Sequence, residues 1–159
     1  MNARHEVAVT RGVRYGAAVV DHRKAPRERE LLLDVYAPKG AKGPLPALVM
    51  SFGGALHRGS REHDRMDAEG QKNTTIAEYC ARFAARGYVA FSIDYRLVPE
   101  DPHPGDTPLT TSDSSTPRAR VDVVRKLLGL PPITMEEWRW GIEAACDDLE
   151  QAIGFVRAN

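Results

Sequence analysis

The feature that most constrains this chain is one stretch near its middle. There "ALVMSF" runs into "GGALHRGS", and "TTIAEYCARFAARG" and "YVAFSIDY" follow in that order. A short continuous apolar run bounded by turn residues fits a strand covered on both faces. Thr75 with Glu78 three residues on forms a capping box. Ile76, Tyr79, Cys80 and Phe83 share one helical face, and Gly87 closes the helix. The segment from Tyr88 to Ile93 is a second apolar strand. Strand, glycine-rich loop, helix and strand make a βαβ unit, which implies a parallel pair with a right-handed crossover.

The flanks extend this unit. "RYGAAVVDHRK" predicts a weak strand. "RERELLLDVYAP" predicts a stronger one, with Leu31, Leu33 and Val35 on a buried face and Pro38 ending it. The charged turn between them makes an antiparallel pair. After Arg96 the composition turns to Pro, Ser and Thr, a long excursion from the sheet. Thr116 and Pro117 have the look of a cap and first helical residue. Val121, Val124, Leu127 and Leu128 then form a short amphipathic helix that Gly129 ends. In the last helix Thr134 caps, Glu137 completes a second capping box, and Ile133 staples onto Trp138. Its apolar stripe reads Ile142, Ala145, Leu149, Ala152, Ile153 and Val156.

At 159 residues the chain predicts one domain, 1–159, with an insertion at about 99–133. Lys+Arg and Asp+Glu are both 22, so no basic excess points to nucleic acid. No apolar run approaches the ~18 residues of a membrane span. "MNARHEVAVTRG" has no apolar core of a secretory signal, so a cytoplasmic protein is expected. Cys80 and Cys146 both fall in apolar helical patterns and are expected to be buried thiols. No cofactor is implied.

A glycine-rich turn after a parallel strand has two chemical uses. It cradles a phosphate on helix N–H groups, or it aims backbone N–H groups at a developing oxyanion. A third reading is a plain turn with glycines for steric relief. "GGALHRG" matches neither phosphate-loop pattern, and the helix starts too far downstream, near Thr75. His57, His63, Asp64, Asp67 and Glu69 lie in the polar stretch that follows. Their spacing fits no named ligand motif, so a solvated loop is expected and no metal.

Taken in order, "LLLDVYAP", "PLPALVMSFGGALHRGSR", "FAARGYVAFSIDYRLVPE" and "DDLEQAIGFVRAN" resemble the N-terminal half of the α/β-hydrolase carboxylesterases and lipases with an HGGG-type oxyanion loop. The resemblance implies a three-layer α/β/α fold, mostly parallel with its first strands antiparallel. It implies a carboxylic-ester hydrolase of the serine type, acting on a small ester. In that family the loop reads His-Gly-Gly-Gly and then an aromatic. Here Phe52 stands for the His, Ala55 for the third Gly and Leu56 for the aromatic. By this likeness the Gly54 and Ala55 N–H groups are the oxyanion-hole candidates, and Gly53 allows the bend. Asp94, Arg96 and Asp148 match structural positions of the family. The family's nucleophile sits in G-x-S-x-G after the helix matching "FVRAN", and its acid and His follow. No G-x-S-x-G occurs among these residues, so the chain alone is expected to be inactive. Ser60, near His57, His63 and Asp64, lacks that context. The family's third strand lies between its fourth and fifth, so "ALVMSF" is expected at a sheet edge, open to a complementing C-terminal hydrolase half or to self-association. The alternative to an active enzyme is a non-catalytic binding or interaction fragment, or a pseudoenzyme. Trp138 and Trp140 are further candidates for an acyl pocket.

Overall fold

The computed structural model describes residues 5–65, 67–68, 71–107 and 119–159. The elements in chain order are β1 (Val7–Val20), β2 (Arg27–Pro38), β3 (Ala47–Ser51), the short pair β4 (Asp67–Ala68) and β5 (Gln71–Lys72), α1 (Ile76–Ala84), β6 (Val89–Ile93), a 3-10 turn (Val98–Glu100), α2 (Ala119–Leu127) and α3 (Met135–Ala158). The first strand is longer than the apolar "AAVV" suggests. It begins at Val7 and carries two register shifts against β2, which let a mostly exposed, polar stretch keep pairing.

The main sheet has the order β1-β2-β6-β3. β1 and β2 are antiparallel, as are β2 and β6, and β3 runs parallel to β6. The expected βαβ unit is present, but of the three pairings described in this sheet only β3–β6 is parallel. The sheet is therefore mixed rather than mostly parallel. The reason is local: β2 enters from a hairpin and meets β6 head to tail.

Side chains alternate across the sheet, and both faces are covered. Leu31, Leu33 and Ile93 pack with Tyr15 and with Ala152 and Phe155 of α3. Tyr36, Ala90, Leu48 and Met50 pack on the other face against Cys80, Ala84 and Phe83 of α1. Helix, sheet and helix make three layers. The second face of β2 is closed by α1, and Asp34 on it is fully buried.

Both helix starts follow from their caps. The Thr75 hydroxyl accepts from the Glu78 N–H, and the Glu78 carboxylate accepts from the Thr75 N–H at 2.8 Å. Thr134 and Glu137 repeat the arrangement at α3, and Ile133 packs with Trp138. In α2, Val121 and Val124 are buried, but Leu127 and Leu128 are not; Leu127 is 77% exposed. The expected helical start at Thr116 and Pro117 lies outside the described residues. No helix among the described residues is long and apolar enough to cross a membrane.

Candidate functional site

The glycine-rich loop leaves the C-terminal end of β3 and is tied down along its length. At its root the Phe52 carbonyl accepts the Tyr95 hydroxyl at 2.9 Å, and the two rings stack with centroids 4.4 Å apart. Phe52 thus anchors the root of the loop through its ring and its backbone carbonyl. Next comes a tight turn in which the His57 N–H donates to the Gly54 carbonyl at 3.1 Å. Gly54, Ala55 and Leu56 have φ of 146°, 55° and 59°. Two adjacent non-glycine residues in the left-handed region are uncommon and cost about 1–3 kcal/mol each.

The surroundings hold that conformation. The Leu56 carbonyl accepts the Val98 N–H at 2.8 Å. Ala55 and Leu56 pack on Val98, Val121, Ile133 and Trp138. The Ala55 carbonyl is 2.7 Å from Nδ1 of His57. At its far end the loop is clamped by Arg61. Its Nε donates to Asp34 at 2.9 Å and its Nη1 to Asp94 at 2.5 Å, its N–H donates to Asp94 at 3.0 Å, and its carbonyl accepts the Ser92 hydroxyl at 2.7 Å.

The bend falls at Gly54 and not, as expected, at Gly53. Gly53 has no positive φ, and a Cβ built there meets nothing within 4 Å. At Gly54 the Cβ would lie 2.0 Å from the Arg58 carbonyl oxygen. Glycine is required at the second position of the pair, and the reason is a backbone contact four residues on. The Gly54 and Ala55 N–H groups donate to no described residue.

The loop borders a cavity of about 380 Å³. Ser51 to Leu56 line it with Ile93, Tyr95 and four residues of α3: Ile142, Ala145, Cys146 and Leu149. The apolar stripe predicted for α3 is therefore divided. Gly141, Ala144, Asp148 and Ala152 are buried, whereas Ile142, Ala145 and Leu149 face the cavity. Cys80 is buried, but Cys146 is only half-buried on the cavity wall. Burial, with Asp147 and Glu143 adding to it, raises the Cys146 thiol above its ordinary value. Neither tryptophan lines this cavity. Trp138 is in the core, and Trp140 packs edge-on to His22 and under Arg23.

The other sequence candidates have structural partners. Arg96 and Asp148 form a buried pair: Asp148 accepts the Arg96 N–H at 2.7 Å, Nε at 3.0 Å and Nη2 at 2.9 Å. Burial raises the Asp148 carboxyl above its ordinary value, against the pull of Arg96. Asp94 pairs with Arg61. Both fit the structural roles that the resemblance implied. Ser60 accepts the Glu62 and His63 N–H groups, a local turn with no imidazole among its partners. The loop expected to be solvated is partly buried. His57 is enclosed, and the buried Asp64 accepts the Ile76 N–H at 2.9 Å at the start of α1. Among the described residues no group of three or more His, Cys, Asp or Glu is placed to hold a metal. Glu69 lies outside them.

Asp34, Arg61 and Arg125 carry much of this architecture and were not singled out from the sequence. An aspartate within the apolar run "LLLDVY" was the available signal for the first.

Residues 33–108 match the BD-FAE family model, that of an esterase-like α/β-hydrolase family. The BD-FAE match takes in β3, the whole glycine-rich loop, α1 and β6. No curated protein matches the chain. Among solved structures, a brefeldin A esterase, described as a bacterial homologue of human hormone-sensitive lipase, is 24% identical with a TM-score of 0.41, over 80% of this chain and 30% of its own. A bacterial heroin esterase is 18% identical with a TM-score of 0.38, over 79% and 32%. A hypothetical protein from Pseudomonas aeruginosa is 18% identical with a TM-score of 0.32, over 85% and 34%. The chain thus spans about a third of the length of the solved structures it matches.

Proposed function

We propose that these residues form the oxyanion-hole side of a carboxylic-ester hydrolase of the serine type, the nucleophile, acid and base coming from outside them. One observation carries the reading. The Gly54 and Ala55 N–H groups have no partner among the described residues, and they belong to a strained, braced turn on the rim of an apolar cavity. Unpaired backbone donors fixed in place are what acyl transfer uses. They meet the carbonyl oxygen as it becomes negative and need no reorganisation at that moment. The apolar wall from Ile142, Ala145 and Leu149 suits the hydrocarbon part of a small ester. The esterase-like family matched over residues 33–108 supports the same class.

The reaction itself needs a nucleophile with a base and a group to orient it. No G-x-S-x-G occurs in this sequence. Purified alone, the chain is expected to hydrolyse short p-nitrophenyl esters no faster than background. Co-expressed with a C-terminal α/β-hydrolase segment that supplies Ser, acid and His, it is expected to turn them over. Turnover by the chain alone that Ser60→Ala abolishes would overturn this division of labour.

A second reading has its own observation. β3 pairs only with β6 among the described strands, so its other edge carries free backbone groups beside the apolar cavity. Such an edge recruits another strand, which fits a non-catalytic interaction fragment. A stable complex through β3 with no esterase activity in the co-expressed pair would favour it.

A further inference from the structure

We propose that His57 is a positioning residue that fixes the Gly54–His57 turn through the Ala55 carbonyl, and that Arg125 of α2 holds His57 in the one tautomer able to do so. The inference rests on the oxyanion-loop reading for its functional meaning. Its test reads the loop directly, so the two can fail separately.

Donor and acceptor chemistry fixes the tautomer. A guanidinium has only donors. Arg125 Nη1 lies 3.1 Å from His57 Nε2, so Nε2 must present its lone pair. The ring proton is then on Nδ1, which lies 2.7 Å from the Ala55 carbonyl and donates to it. An imidazolium keeps its Nδ1–H but sets an Nε2–H against the Arg125 cation, so it loses the Arg125 bond and the like charges drive the ring from its seat under Ala55. Burial, with Arg125 adding to it, lowers the His57 basicity below the ordinary histidine value, while the Ala55 carbonyl, Glu137 of α3 and Asp122 of α2 act the other way. Arg125 is itself buried and fixed, with Nε on the Pro131 carbonyl at 2.5 Å and Nη2 3.5 Å from Glu137. The chain of contacts runs from the α2–α3 connection through Arg125 and His57 to Ala55. It ends on a residue whose left-handed φ needs outside support. The loop is thereby propped from its sixth position, His57, together with a segment between β6 and α3.

The test is NMR of the full chain labelled at histidine and backbone nitrogens. His57 is expected in the Nδ1–H form at neutral pH. On acidification, the Ala55 and Leu56 amide shifts and φ-dependent couplings are expected to lose their left-handed values with the midpoint at which His57 protonates. In Arg125→Met the His57 midpoint is expected to move up, and the loop couplings to be lost already at neutral pH, with the far-UV spectrum kept. An Nε2–H tautomer in the parent would overturn the proposal. So would loop amides indifferent to His57 protonation. The pH series uses the unsubstituted chain, so it decides the matter even where Arg125→Met does not fold.

Discussion

The two adjacent glycines differ in what they are for. Gly53 has open space at its Cβ position, whereas Gly54 meets the Arg58 carbonyl and has a φ of 146°. Gly53→Ala is expected to change stability by less than about 0.5 kcal/mol, as for a surface substitution away from special features. Gly54→Ala is expected to cost about 1–3 kcal/mol through the backbone strain it imposes. Urea unfolding of both variants checks this, and equal values would mean the turn is not built as described. In the co-expressed enzyme Gly54→Ala is expected to lose at least about a hundredfold in rate, the scale of one oxyanion donor, with Gly53→Ala near its parent. The pair was legible in the sequence, but which member matters was not. The deciding contact is a carbonyl placed by the fold, and a local pattern does not contain it. His57 was likewise visible only as one of several polar loop residues, because Arg125, its partner, is 68 positions away. Its lowered basicity has a definite sign. The unfolded chain binds a proton near pH ~6.5 that the folded chain resists, so stability is whole above that value and declines as pH falls from it through the folded value. His57→Gln is expected to flatten this slope in urea unfolding between pH 7.5 and 5, and an unchanged slope would contradict the burial argument.

Among the elements, capping signals were read most faithfully. Thr75 and Thr134 each sit three residues before a glutamate, and each begins a helix with both reciprocal bonds formed. The information is local, so the sequence holds it. Helical faces fared less well. The apolar stripe on α3 lies about one residue round from the buried one, because the buried face includes Asp148 and Gly141. Asp148 is buried because Arg96 meets it, and Gly141 because Val98 leaves no room for a Cβ. Both partners lie more than forty residues away along the chain. The Arg96–Asp148 pair ties the segment after β6 to the middle of α3. Removing one partner leaves a buried, uncompensated group, so Arg96→Met is expected to cost about 3–5 kcal/mol. Denaturant midpoints measure it, and a loss below about 1 kcal/mol would reassign the pair as incidental.

At the scale of the whole molecule, the order of elements and the covering of the sheet followed from patterning, because apolar alternation and the βαβ spacing fix which segments can pair. The balance of parallel and antiparallel pairings did not follow, since β2 meets β6 through the fold rather than through any sequence neighbour. Among the described strands β1 and β3 are the two edges of this sheet, and they differ in character. β3 is apolar, short and paired with β6 alone among the described strands, while Ala47 and Ser51 at its ends are exposed. Edge strands are kept from pairing by charge, by proline or by cover, and "ALVMS" carries neither charge nor proline. The chain is therefore expected to self-associate with rising concentration in sedimentation velocity unless a complementing segment is present. Ala47→Lys puts a charge on the edge at an exposed position, where the cost to folding is within about 0.5 kcal/mol. It is expected to weaken self-association while the thermal midpoint of the monomer stays put. A chain that is monomeric at high concentration without any partner, or one whose association ignores Ala47→Lys, would show that β3 is not the surface through which it pairs.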